Sequence, residues 1–277
     1  MSNVSAAPHT GSAERAPRGL RRALRFAQHA TSLAGFEIRK LGRDPTELFT
    51  RAIQPTLWLV VFGQVFARVR GIETGVPYLD FLAPGVLAQS VLFAAIFYGI
   101  SVIWERDLGL VHKLLVSPAD RSALVVGKAL SAGVRGLIQA LIVYLLAGVL
   151  GIGVRLDPLA VLSVAAVVVL GSAVFATFSL IVACVVKTRE RFMGIGQVLT
   201  MPMFFASNAI YPISLMPGWL QAVAHINPLT YLVDALRAMM IVNGTSHFGL
   251  AIDLLVLLVG LVAMVLVAAR LYPSLVQ

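Results

Sequence analysis

Long apolar runs alternate with short polar interruptions along most of this chain, and their spacing predicts its elements. Apolar runs extend over about 52–67, 81–103, 123–152, 158–186, 193–210 and 250–269. Each is close to the roughly 20 residues a helix needs to cross a bilayer, some with tilt or overhang. The pattern predicts an all-α membrane protein of six spans. Polar residues punctuate the starts. Asp44 with Glu47 makes a capping-box pattern, Asp157-Pro158 pairs a cap with a first-turn proline, and Ser117, Pro118 and Asp120 repeat that grammar. Pro55, inside the first run, predicts a kink.

Three segments break this rhythm. Residues 1–19 are polar, lack an apolar stretch of signal-peptide type, and read as a disordered tail. Over 20–43, Leu20, Leu24, Ala27, Thr31, Ala34, Ile38 and Leu41 recur in steps of three and four, with Arg21, Arg22, Arg25, Arg39, Lys40 and Arg43 on the other faces. A basic amphipathic helix of this kind lies in the headgroup plane, a coiled-coil seam being the alternative. Residues 105–116 read as a short amphipathic helix: Glu105, Arg106, Asp107, His112 and Lys113 are polar, while Leu108, Val111 and Leu115 share one face.

The stretch 211–248 is too long for a turn and too interrupted to span. Ser214, with Pro217 three residues on, opens one short helix and Asn227-Pro228 another, with Asp234 and Arg237 one turn apart in the second. Both read as re-entrant or interfacial helices, with Trp219 and Tyr231 suited to the membrane boundary.

Composition agrees with a membrane protein. The chain of 277 residues is 58% hydrophobic and 13% charged, with a mean hydropathy of +0.88, against about 25% charged residues in soluble domains. Its net charge of +9 is not one basic block, so a nucleic-acid partner is not expected. Arginine and lysine instead gather before residue 52 and at Arg106, Lys113, Arg121, Lys187, Arg189, Arg191 and Arg270; the opposite segments hold Arg68, Arg70, Arg155 and Arg237. The positive-inside bias places both termini in the cytoplasm of a multi-pass cell-membrane protein.

Catalytic chemistry is missing. No GxxxxGK[ST] loop, HExxH or Cys/His cluster is present, so neither a P-loop nucleotide site nor a metal site is expected on this chain. Cys184 is the single cysteine and reads as a small apolar residue in a span. No acidic pair is expected inside a span, and Arg135 reads as the only deep ionisable residue, with snorkelling as its simple explanation. An energy source has to come from outside the chain.

Two stretches resemble a known family. ERDLGLVHKLLVSPADRSALVVGKAL, with Glu105, Arg106, Gly109, Leu114, Leu115, Ser117, Pro118, Gly127 and Lys128, is similar to the cytoplasmic loop of type-2 ABC exporter permeases. LMPGWLQAVAHINPLTYLVDALR, with Pro217, Trp219, Asn227, Pro228, Tyr231, Asp234 and Arg237, resembles the outer hairpin of the same family, especially its drug-exporter and antibiotic-resistance branch. The resemblance runs from about residue 20 to the end. A departure is Ser207-Asn208-Ala209, where many relatives have Ser-Gly.

The resemblance implies one transmembrane domain over 20–277, working as a dimer with a second permease copy. Two cytoplasmic P-loop ATPase subunits would carry ATP and Mg, with no cofactor on this chain. Residues 105–116 would be the coupling helix, with Glu105, Arg106, Leu108, Gly109, Val111, Leu114 and Leu115 meeting the ATPase, although charges marking a membrane edge would look the same. Gln54, Gln64, Gln89, Tyr98, Met201, Phe205 and Asn208 are polar, aromatic or sulfur-bearing groups in aliphatic surroundings and would line a route for an amphipathic drug-like or lipid-linked substrate, with helix packing as their ordinary role. A secondary transporter or channel without an ATPase is the rival reading.

Overall fold

A computed structural model of the chain describes residues 45–68, 75–108, 121–186 and 188–271, and the regular elements among them are all helical. The expected tail, the 20–43 helix and residues 109–116 of the expected coupling segment lie outside the described residues. The described elements begin with α1 (Pro45–Leu57), a π-helical turn (Trp58–Phe62) and α2 (Gly63–Phe66). It continues through α3 (Tyr78–Asp107), α4 (Arg121–Leu150), α5 (Pro158–Val185) and α6 (Arg189–Phe205). A 3-10 turn (Ile213–Leu215) leads to α7 (Gly218–Ile226), α8 (Pro228–Met240) and α9 (Leu250–Leu271).

Local sequence explains where several helices begin. Asp157 accepts the Ala160 N–H at 3.0 Å with Pro158 at the first helical position, so α5 starts where cap and proline coincide. Asn227 accepts the Leu229 N–H at 3.0 Å and Pro228 opens α8 in the same way. Pro55, where a kink is expected, lies inside α1, and a π turn follows at Trp58–Phe62.

Among the described residues, four helices are long and apolar enough to cross a membrane: Tyr78–Trp104, Ala129–Leu150, Pro158–Val185 and Leu250–Leu271. Two of the six expected spans are shorter. The first is the apolar segment Ala52–Phe66. The fifth is α6, 17 residues long, which stops at Phe205 instead of running to 210. There Ser207 Oγ donates to the Phe204 carbonyl at 2.7 Å and accepts the Ala209 N–H at 3.3 Å. A serine bonded to neighbouring backbone offers the chain an alternative to the helical ladder.

The bundle is organised on α5, which packs most extensively against α3, α4 and α9. Its sequence is apolar all round, as a helix surrounded by neighbours should be. Small residues set the close approaches: Gly136 faces Ser172, Gly171 faces Leu232, and Gly85 faces the backbone of Ala209, where a Cβ would collide. By contrast α9 turns most of its surface outward, with Leu255, Leu258, Val259, Val262 and Leu266 exposed.

At one end of the bundle the start of α3, the 151–157 connection and the end of α8 are tied together. Val154 and Ile241 form an isolated antiparallel bridge, flanked by Arg155 N–H to Met240 carbonyl at 2.7 Å and Val242 N–H to Gly153 carbonyl at 2.8 Å. Asp80, in the first turn of α3, accepts the Gly153 N–H at 3.3 Å. The end of α3 and the start of α6 meet at the opposite end.

Candidate functional site

The bundle carries two polar clusters, one at each end of α3. The larger is built on the α7–α8 hairpin. Asp234 is 0% exposed and gathers groups from three parts of the chain: Asn208, Arg237 and the 246–248 connection. Its Oδ1 accepts from Asn208 Nδ2 at 3.2 Å, and its Oδ2 accepts from Ser246 Oγ at 3.0 Å and from the N–H groups of His247 and Phe248 at 2.6 and 3.0 Å. Arg237, one turn later, lies 3.7 Å from Asp234 Oδ1. Its Nη2 donates to the carbonyls of Asn208 at 2.8 Å and Phe81 at 3.4 Å, and its guanidinium covers the Phe81 ring. A buried arginine is tolerable here because a carboxylate, carbonyls and a ring face replace its hydration.

The remaining hairpin residues close the structure locally. Asn227 Nδ2 donates to the carbonyls of Met203 at 2.6 Å and Ala206 at 3.2 Å, which joins the α7–α8 corner to the end of α6. Tyr231 OH donates to the His225 carbonyl at 2.6 Å, folding α7 back on α8. Pro217 is the cap residue of α7, and Trp219 is 71% exposed at its first turn, available to a lipid or partner surface. All seven predicted hairpin residues thus lie in the two hairpin helices or cap them, and Asn208, predicted for the pathway, joins them.

The second cluster sits where α3 ends. Glu105, Arg106 and Asp107 continue α3 as its last turn, and Leu108 is an exposed turn residue. Asp107 accepts from Arg106 at 3.0 Å and from Arg189 Nη2 at 2.8 Å, and Arg189 covers the Trp104 ring at 3.9 Å. The Arg106 guanidinium, followed by that of Arg189, holds the Asp107 carboxyl below the usual aspartate range. The start of α6 is thereby pinned to the end of α3. The Glu105 side chain, Gly109, Val111, Leu114 and Leu115 lie outside the described residues.

The predicted pathway residues are dispersed. Gln54 is half-buried in α1 and Gln64 exposed in α2, while Gln89 is buried in the middle of α3. Met201 and Phe205 lie on the exposed face of α6 with Val198. The Tyr98 side chain is outside the described residues.

Sequence reasoning missed Phe81, Ser246 and Asp253. Asp253 is 0% exposed in the first turn of α9 and lies 2.7 Å from Ser246 Oγ. Its signal was present: an acid just inside an apolar run needs a partner. Nothing local names that partner, which arrives from a loop. Among the described residues no group of three or more His, Cys, Asp and Glu is placed to hold a metal ion.

Comparison with known proteins places this architecture. A family model described as "ABC-2 type transporter" matches residues 29–241. A putative transport permease ycf38 of Cyanophora paradoxa is 31% identical, over 72% of this chain and 69% of its own length. The daunorubicin resistance ABC transporter permease protein DrrB1 of Streptomyces coeruleorubidus is 29% identical over 74% of this chain and 71% of its own. The inner membrane transport permease YadH of Escherichia coli K12 is 25% identical over 67% and 72%, respectively.

Proposed function

Because the chain belongs to the ABC-2 type transporter family, we propose that it is the membrane permease subunit of an ATP-driven exporter. Its substrate class is an amphipathic drug-like or lipid-linked molecule taken from the cytoplasm or inner leaflet. The observation that carries this reading is the family match, which spans both the 105–116 segment and the hairpin. The sequence has no P-loop of its own, so hydrolysis falls to separate ATPase subunits, two per transporter, carrying ATP and Mg. The drug-like class draws on the resistance permease among the relatives.

The physical design suits that role. One unbroken helix, α3, joins the Asp107 cluster to the Arg237 cluster. A partner that moves the 105–116 segment therefore pulls on a helix whose far end bears the hairpin. In this reading Glu105 and Arg106 receive the ATPase and the hairpin seals the outer side. Basic residues Arg106, Arg189, Arg191 and Arg270 then face the cytoplasm together with both termini. The exposed apolar face Val198, Met201 and Phe205 of α6 meets the second permease copy, and residues at that seam line the route.

Purification of the tagged chain in mild detergent from its native host tests the proposal. The expected result is a stoichiometric P-loop ATPase that is lost when Glu105 and Arg106 are reversed in charge. A homo-oligomer with no ATPase would instead support a channel or secondary transporter.

A further inference from the structure

Ser246 has one hydroxyl proton and stands between two carboxyl groups. Its Oγ lies 3.0 Å from Asp234 Oδ2 and 2.7 Å from Asp253 Oδ2, and it accepts the Gly249 N–H at 2.7 Å. A single hydroxyl hydrogen serves only one of the two carboxyls. The other carboxyl is then at hydrogen-bond distance from an oxygen with no proton left to offer, and it must be the donor itself.

The contacts decide which carboxyl that is. Leaving Ser246 aside, Asp234 receives donors on both oxygens, the His247 and Phe248 N–H groups on Oδ2 and Asn208 on Oδ1, with Arg237 beside it. It is an acceptor throughout and therefore the anion. The Asp253 Oδ2 has Ser246, and Oδ1 has no hydrogen-bond partner among the described residues. With its side chain fully buried, ionisation would leave two anions facing one guanidinium. Like charges sharing a dry site keep a proton on one of them.

We propose that Asp253 binds a proton, donating it to Ser246, which in turn donates to Asp234, so that the junction of hairpin and last helix is a proton site. Ser246 is then satisfied on every side: it accepts from Asp253 and Gly249 and donates to Asp234. A metal ion suits the cluster poorly, because amide hydrogens already occupy the acceptor sites of Asp234 and Ser246. The family match ends at residue 241, before Ser246 and Asp253, and the site stands whatever the chain transports.

The three members sit on different pieces: Asp234 on α8, Ser246 in the connection, Asp253 on α9. Lifting the hairpin from α9 breaks the Ser246 bridge and delivers the acid to water, where it ionises. Proton loss accompanies hairpin release, and the anion opposes reseating. Other charged or titratable groups facing the junction are Arg237, Tyr231, His225 and His247, the last three packed around Phe248. They persist when Asp253 is replaced, so a difference between variants isolates its proton.

The test is infrared difference spectroscopy on the full chain in lipid nanodiscs with isotope-labelled aspartate, wild type against Asp253→Asn at neutral pH. We expect a protonated-carboxyl carbonyl band in the wild type that shifts in deuterium oxide and is absent from the variant. Asparagine keeps a donor toward Ser246, so the variant should fold. Ser246→Ala should shift the band without removing it, which preserves the test if the asparagine variant does not fold. Thermal melting gives a second readout. A carboxyl that keeps its proton only in the folded state stabilises at low pH and withdraws that stability as pH rises, so wild type should weaken with rising pH more than Asp253→Asn. A neutral-pH spectrum without the acid band, or a band unchanged in both variants, overturns the proposal.

Discussion

The Arg237 guanidinium lies 3.8 Å from the centroid of the Phe81 ring, near the start of α3. Near the other end of the same helix, Arg189 covers Trp104 at 3.9 Å. Over its 30 residues α3 is about 45 Å long at ~1.5 Å per residue. It therefore carries an arginine-over-ring contact at each end of the bundle, one from the hairpin and one from α6. This makes α3 the physical link between the two clusters.

Arg237→Ala leaves the buried Asp234 charge without its cation, and removing one partner of a buried pair costs about 3–5 kcal/mol. Arg237→Lys keeps the charge but loses the planar face on Phe81 and the reach to two carbonyls, so its loss should be smaller. Thermal unfolding of the purified chain orders the three proteins. Equal midpoints for wild type and the alanine variant would show that the cluster holds nothing together.

Gly85→Ala and Gly148→Ala should act in opposite directions. A Cβ at Gly85 meets the backbone of Ala209, which cannot rotate away, and overpacking of this kind costs about 1–3 kcal/mol. At Gly148, on an exposed helical position, nothing lies within 4 Å, and alanine should stabilise by about 0.5–1 kcal/mol. Melting temperatures of the two variants check the signs.

Substitution of Glu105 by alanine is expected to uncouple ATP hydrolysis from export without unfolding the chain. The comparison is transport per ATP hydrolysed in reconstituted vesicles, alongside the melting temperature. Unchanged export with unchanged coupled hydrolysis would remove Glu105 from the coupling role.

Asp107 sets a pH window for the α3–α6 clamp. Its carboxyl is held below the ordinary aspartate value of about 3.9. A depressed acid contributes above its unfolded value and loses that contribution as pH falls through the folded one. The clamp should therefore be constant from neutral pH down through about pH 5, and high salt should weaken it because the pair is partly exposed. Fluorescence of Trp104 across pH and salt, in a chain with Trp58 and Trp219 replaced by phenylalanine and compared with the same chain carrying Arg189→Ala, reports it. A Trp104 signal that changes between pH 7 and 5 only in the chain that keeps Arg189 would contradict this assignment.

Apolar run length and cap residues made much of the architecture legible from sequence alone. The Asp157-Pro158 and Asn227-Pro228 starts stand where the sequence puts them, because caps and prolines act within a few residues. Family membership was legible in the two motif stretches. Tertiary structure decided the rest. Whether α6 ran on to 210 depended on Ser207 bonding its neighbours and Asn208 finding Asp234. That Asp253 belongs with Asp234, through a serine on the connection, is also a tertiary fact. Hydrophobic periodicity reports which face is buried but not which buried polar group meets which. Those pairings are set by long-range packing of α3, α8 and α9, where a lone polar group is expensive and so takes whichever partner the fold brings.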